Sequence, residues 1–319
     1  MRIFVAGASG AIGRRLVPML LEAGHGVTGM ARSERSAEVV RSMGADAAFA
    51  DALDREAVLR AMAESRPEIV VHQLTALSDL DLRHFERSFA VTNRLRTEGT
   101  DHLLEAARAA GSRRFVAQSY AGWPFAREGG PVKDEDAPLA TDLPKAVRPT
   151  VDAILHLERA VTNATDLEGV VLRYGGYYGP GTSLAPGKPQ VEMVRKRRFP
   201  IVGDGSGVWS FVHIDDAASA TVAAIERARP GIYHVTDDEP ARVSVWLPEL
   251  ARVLGAPPPR RMPAWLARPL VGEHGVVMMT EIRGASNAKI KRETGWTPKY
   301  PSYREGFAAV FGAARARAA

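Results

Sequence analysis

The residues whose type and spacing most clearly imply chemistry are three glycines, Gly7, Gly10 and Gly13, in the stretch MRIFVAGASGAIGRRLV. Ile3, Phe4, Val5 and Ala6 before them read as a buried strand, and positions 11–22 after them read as a helix. A strand, a tight glycine turn and a helix N-terminus make an anion site. The first helical amides lack partners of their own, and the helix dipole favours negative charge there. Gly7 allows the turn, Gly10 lets backbone approach a pyrophosphate, and Gly13 lets helix pack on sheet. Ser9, Ala11 and Ile12 share that turn and complete the expected phosphate cradle. The spacing is GxxGxxG rather than GxGxxG, and the flanking strand and helix lift it above an ordinary glycine turn. The expected ligand is a dinucleotide.

The residues past the second strand, expected over 26–30, choose the dinucleotide. A carboxylate about 20 residues beyond the glycines would accept hydrogen bonds from a ribose 2′-hydroxyl and signal NAD. Ala31, Arg32 and Ser33 stand there instead. The Arg32 guanidinium can pair with a 2′-phosphate through charge-assisted hydrogen bonds worth about 1.5–3 kcal/mol each. Ser33 adds a hydroxyl donor and Arg35 more positive potential, whereas Glu34 must point away. The competing reading of Arg32 is a solvated loop arginine. NADP, entering as NADPH, is the expected cofactor.

The elements that position this turn follow from the rest of the chain. With 319 residues, the protein can bury a large core, enough for one domain and a smaller lobe. The absence of cysteine excludes disulfides, thiolate nucleophiles and cysteine-ligated metal, and no metal site is expected. The net charge of +5 comes from scattered arginines; only 194–198 (VRKRR) is a compact basic run, best read as a solvated helix end rather than a nucleic-acid surface. A strand starting at Arg2 leaves no room for a signal peptide, and no apolar run approaches membrane length, so a cytoplasmic protein is expected. Strand and helix then alternate, as a doubly wound parallel sheet requires. Helices are expected at 36–43, 55–64, 85–110 (closed by Gly111) and 151–163, and strands at 47–50, 69–72, 114–119 and 170–173. Positions 124–147 form a Pro-rich polar loop, and Pro18 is expected to kink the first helix.

With these elements in place, the chain resembles the extended short-chain dehydrogenase/reductases, the NAD-dependent epimerase/dehydratase family. The likeness runs through GASGAIG (7–13), the Asp51-Ala52 pair, Asn93 in NRLRTEGTDHLLEAA, LRYGGYYGPG (172–181), VGDGSGVWSFVHIDDAASA (202–220), GIYHVTDDEP (231–240) and SNAKIKRETGW (286–296). The resemblance implies an α/β fold with a Rossmann-type doubly wound parallel sheet over 1–174 and 209–238. It implies a smaller C-terminal substrate lobe over 175–208 and 239–319. It also implies that Asp51, beside Ala52, contacts the adenine amino group, that Leu74, Thr75 and Ala76 line the cofactor, and that a homodimer forms through the two long helices. The plainer reading of Asp51 is an N-cap for the helix at 55–64.

One part of the pattern fails. In this family a Ser or Thr, then a Tyr and a Lys in YxxxK, carry the proton, the Lys lowering the Tyr pKa. Here, aligning Glu158-Arg159 with the family's Glu-Arg puts Thr150 in the Tyr place and Ile154 in the Lys place, and neither transfers a proton. Tyr120, next to Ser119 at the end of the fifth strand, occupies the place of the family's Ser or Thr, and Tyr120, Ser119 and His156 become the candidate catalytic residues. An unperturbed phenol suits an acid better than a base. Tyr174, with Tyr177 and Tyr178, follows the sixth strand where the nicotinamide end is expected; Tyr174 is a candidate cofactor contact, with core packing the equal alternative.

Trp209 stands where nucleotide-sugar members of the family carry an arginine that grips a diphosphate. Trp123, Pro124, Phe125, Met278 and Met279 offer further apolar surface, so the expected substrate is a small, weakly polar molecule and not a nucleotide sugar. In VHIDD, capping by Asp215 or Asp216 is expected. The expected function is NADPH-dependent reduction of a C=O, C=N or activated C=C bond, with Tyr120 or water giving the proton. A non-catalytic NADP-binding sensor and a non-redox isomerase or cyclase are the alternatives.

Overall fold

Seven parallel strands form the central sheet, and apolar runs buried on both faces explain its inner strands. In the computed structural model, which describes residues 1–77, 85–122 and 125–312, the first five are β1 (Arg2–Ala6), β2 (Gly26–Ala31), β3 (Asp46–Phe49), β4 (Ile69–His72) and β5 (Arg114–Tyr120). The strands Glu168–Tyr174 and Gly231–Val235 extend the sheet beyond β5, giving the order β3, β2, β1, β4, β5 and then these two. Strand order reverses between β1 and β4, so a crevice opens outside their carboxyl ends, the place where such sheets bind ligands.

Helices cover both faces. On one face α1 (Gly13–Glu22) and the helix Ile214–Arg227 press Leu16, Val17, Leu20, Ala217 and Ala224 onto Ile3, Val5 and Val71. The opposite face is covered by α3 (Arg55–Ser65), α5 (Glu98–Ala109) and α6 (Arg148–Thr162), through Val58, Met62, Leu103, Leu157 and Val161 against Phe4, Val70 and Phe115. The α2 helix (Glu34–Ser42) lies beside β3, and α4 (Phe85–Arg96) packs against α6. A separate core holds the smaller lobe, in which Tyr178, Val191, Phe211, Trp246, Leu250 and Phe307 meet.

Four expectations change. The helix expected over 85–110 is two helices, broken at Thr97 (φ −98°, ψ −87°). The cap of α3 is Asp54, whose carboxylate accepts the Ala57 amide, so Asp51 is free of that duty. In the Ile214–Arg227 helix the cap is His213, whose Nδ1 accepts the Asp215 amide, while buried Asp216 accepts the amides of Lys299 and Tyr300. Segment 239–319 does not stay in the lobe: Ile290 and Trp296 return to the core on the α1 side of the sheet, with the indole donating to Ser219. The first helix continues through Pro18 as far as Glu22. Among the described residues no helix is long and apolar enough to cross a membrane.

Candidate active site

The glycine turn is built as a cradle. Gly7 adopts φ +97°, and a Cβ there would stand 2.8 Å from the Gln73 carbonyl oxygen. At Gly13 a Cβ would come within 2.3 Å of the carbonyl oxygens of Gly7 and Ala8, so only glycine lets α1 start this close to β1. Among the described residues, a Cβ on Gly10 would approach only the Gly7 carbonyl oxygen, at 3.1 Å, so its other side is open. The Gly10 amide donates to Gly7, whereas the amides of Ala11 and Ile12 have no backbone acceptor among the described residues and α1 has no side-chain cap. Free donors at the positive end of a helix fit a pyrophosphate. Ser9 contributes its carbonyl, which accepts Arg14 Nε at 2.9 Å.

Past the ends of β2 and β3, the exposed Arg32 guanidinium lies 3.8 Å from the Asp51 carboxylate, whose Oδ1 also accepts the Leu53 amide at 3.0 Å. An exposed pair this long contributes about 0–1 kcal/mol, so a phosphate can displace it. The Ser33 hydroxyl caps α2, reciprocated by Ser36. Ala52 is buried, with its carbonyl accepting from His102. After β4, the Leu74 amide donates to His72 Nδ1, Thr75 is exposed, and the Ala76 amide donates to Thr92. Tyr174 is a correction: its ring lies in the core and its hydroxyl bonds to Gln73 and Thr221, so its side chain reaches no cofactor surface.

Alternation along β5 separates the catalytic candidates. The Ser119 hydroxyl donates to Glu158 Oε1 at 2.6 Å, inside a buried group in which Arg173 grips both Glu158 oxygens at 2.8 and 2.7 Å. His156 sits on the outer face of α6, its Nε2 2.8 Å from Asp101. Neither faces the site, and both lose their catalytic assignment. Tyr120 does face it, lining a small cavity with Gly175, Trp209, Ser210 and Arg283. Burial pushes its phenol up to about 12, against the opposing pull of Arg96. Trp209 donates to the Met278 carbonyl and packs at a tilt on Trp246 with ring centroids 4.9 Å apart. Trp123 and Pro124 lie outside the described residues.

The places of the family's Tyr and Lys are filled by groups that move no proton. Thr150 is buried with its hydroxyl accepting from Asn93 Nδ2 at 3.2 Å, and Ile154 is buried beside it on the same face of α6. Sequence reasoning missed Arg96, the last residue of α4, which is only 6% exposed. The signal was present: Thr92 and Arg96 lie four apart on the face of α4 that turns inward, a position where a charge needs a reason.

The Rossmann sheet, the glycine cradle and the lobe above Tyr120 together define a nicotinamide-dinucleotide enzyme of the extended short-chain type. The model of the NAD dependent epimerase/dehydratase family matches residues 3–236, and the chain belongs to that family. A "3-diazoavenalumate denitrifying reductase" from Streptomyces sp is 51% identical over 96% of this chain and 99% of its own. A dTDP-4-dehydrorhamnose reductase of Streptomyces griseus is 31% identical over 85% of this chain and 83% of its own. Among solved structures, the UDP-glucose 4-epimerase of Thermotoga maritima superposes with a TM-score of 0.78 over all of both chains at 23% identity, a likeness of fold. The protein is an NAD(P)-dependent oxidoreductase.

Proposed function

We propose that the protein is an NADPH-dependent reductase whose substrate carries a diazo or diazonium group, lost as N2. The observation that carries this reading is the pairing of an intact dinucleotide cradle with Thr150 and Ile154 in the proton-relay places. Reduction of a ketone consumes a hydride and a proton, and the relay exists to deliver the second. A diazonium needs the hydride alone: R–N2⁺ + H⁻ gives neutral R–N=NH, which collapses to R–H and N2 with its own proton moving from nitrogen to carbon. Bound NADPH supplies that hydride. A site specialised for this electrophile can dispense with YxxxK, and the 51% identical relative is named for a diazo substrate and its denitrification.

The chain's part is to bind, orient and exclude water. Gly7–Gly13 hold the pyrophosphate, Arg32 and Ser33 favour the 2′-phosphate, and Asp51 faces the adenine end. Tyr120, kept protonated by burial, offers a hydrogen-bond donor at the cavity. Trp209 in place of a diphosphate-gripping arginine favours a substrate that is not a nucleotide sugar. The test is anaerobic turnover with NADPH, comparing an ¹⁵N2-labelled arenediazonium with the matching aryl ketone. One labelled N2 released per NADPH oxidised is expected, with no oxidation by the ketone. Faster NADPH oxidation with the ketone than with the diazonium would overturn the reading.

A further inference from the structure

Arg96 is a buried cation without an anion. The residue is 6% exposed, its Nη1 is sealed from water with no hydrogen-bond partner, and the guanidinium forms no ion pair among the described residues. The nearest buried acid cannot answer it, because both oxygens of Glu158 are held by Arg173 and one also by Ser119. An uncompensated buried charge costs several kcal/mol. Burial lowers Arg96 itself to about 10, and the groups that feel its field include Tyr177, Glu158, Tyr120 and the buried, neutral His72. Tyr177, on the strand Gly176–Tyr178 that follows the sixth sheet strand, has a buried hydroxyl without a partner as well. A guanidinium and two protonated phenols thus gather at the end of β5 with no free carboxylate among them.

We propose that Arg96, with Tyr120 and Tyr177, binds an anionic oxygen of the substrate, a carboxylate or a phenolate, so that the enzyme selects anionic electrophiles. The inference deepens the reading of this cavity as the reductase site. The cofactor is an unsuitable source of the anion. Its pyrophosphate belongs to the Gly7–Gly13 turn at the end of β1, its 2′-phosphate to Arg32 after β2, and the nicotinamide end carries no further negative charge. Fixing a substrate anion beside the phenols would also orient the electrophilic group without any proton transfer.

The test is equilibrium titration of the NADP⁺-saturated protein, which needs no turnover and no diazo group, so it can fail independently of the proposed reaction. Benzoate is compared with benzamide, and 4-nitrophenolate with 4-nitroanisole, at a pH where both acids are ionised. At least one anion is expected to bind tenfold or more tightly than its neutral counterpart, and which one does so identifies the oxygen. In Arg96→Leu the preference should fall to about twofold or less, with NADP⁺ affinity within about threefold of the parent. The ligand-free variant should also melt no lower than the parent, because a buried unpaired charge has been removed, whereas a structural arginine would cost stability. Equal or undetectable binding of anions and neutral compounds to the parent overturns the proposal. So does a preference that survives Arg96→Leu, and a loss of NADP⁺ affinity instead would assign Arg96 to the cofactor.

Discussion

Glu158 shows why the neighbouring Ser119 has a structural and not a catalytic role. Glu158 lies 3% exposed, takes two hydrogen bonds from Arg173 and one from Ser119, and thereby ties α6 to β5 and to the next strand of the sheet. Removing one partner of a buried pair leaves the other charge without compensation, a loss of about 3–5 kcal/mol. Glu158→Gln is therefore expected to lower stability by that amount in urea unfolding. Ser119→Ala should lose about 1.5–3 kcal/mol, the range for a hydrogen bond to a charged group, yet keep its rate of NADPH oxidation. A rate collapse in correctly folded Ser119→Ala would return the hydroxyl to the catalytic group. At the cofactor's other end, Arg32 is exposed and only loosely paired with Asp51. Its contribution should appear only when a 2′-phosphate is present. Arg32→Glu is expected to weaken NADPH binding tenfold or more and NADH binding by no more than about twofold, and equal losses would make it a mere loop arginine.

The glycine turn divides into two kinds of position at the scale of the element. A Cβ at Gly13 would meet two backbone oxygens at 2.3 Å, so Gly13→Ala must push α1 off β1 and should lower the melting temperature as well as abolish dinucleotide binding. Gly10→Ala meets only one oxygen, at 3.1 Å, and should fold with little change in melting temperature while losing dinucleotide affinity tenfold or more. Normal binding by Gly10→Ala would show that the pyrophosphate does not approach there. This turn was legible from sequence because the buried parallel strand β1 reads as a continuous apolar run, Ile3 to Ala6, and Gly7 marks where it must end. The break at Thr97 was not legible, since the sequence between Asn93 and Gly99 holds neither glycine nor proline. Nor was the face of a residue: Ser119 and Tyr120 are neighbours, and the pleat alone sends one into a salt-bridged interior and the other to the cavity. His156 failed for the same reason on α6, where Glu158, two residues on, is buried and His156 points outward to Asp101. The Arg96 site could not emerge from motif spacing, because its three residues come from α4, β5 and the strand after the sixth, and only the folded chain brings them together.

Two of the buried histidines, those in the central sheet, contribute strongly to how the whole molecule answers to acid. His72 ends β4, accepts the Leu74 amide through Nδ1 and so donates through Nε2 to Thr100 at 3.2 Å; burial lowers it to about 4. His234, in the last strand of the sheet, is wholly buried against Phe125, and burial followed by the nearby Arg173 charge lowers it to about 3. In both cases the folded chain resists a proton that the unfolded chain accepts near the ordinary histidine value of about 6.5. The sign follows: their contribution is complete above that value and is lost as the pH falls from there toward the folded values. Each histidine then takes away about 1.4 kcal/mol per pH unit, and His213 and His274, which burial also lowers, add to the same acid limb. Stability from urea unfolding is expected to be flat between about pH 7 and 8 and to fall steeply below about pH 6, where both groups titrate only on unfolding. In the double variant His72→Gln/His234→Gln, whose side chains cannot take up that proton, stability at pH 7 should start below the parent's while the slope below pH 6 becomes shallower. A slope unchanged in that variant would place the acid sensitivity in His213, His274 or the carboxylates instead.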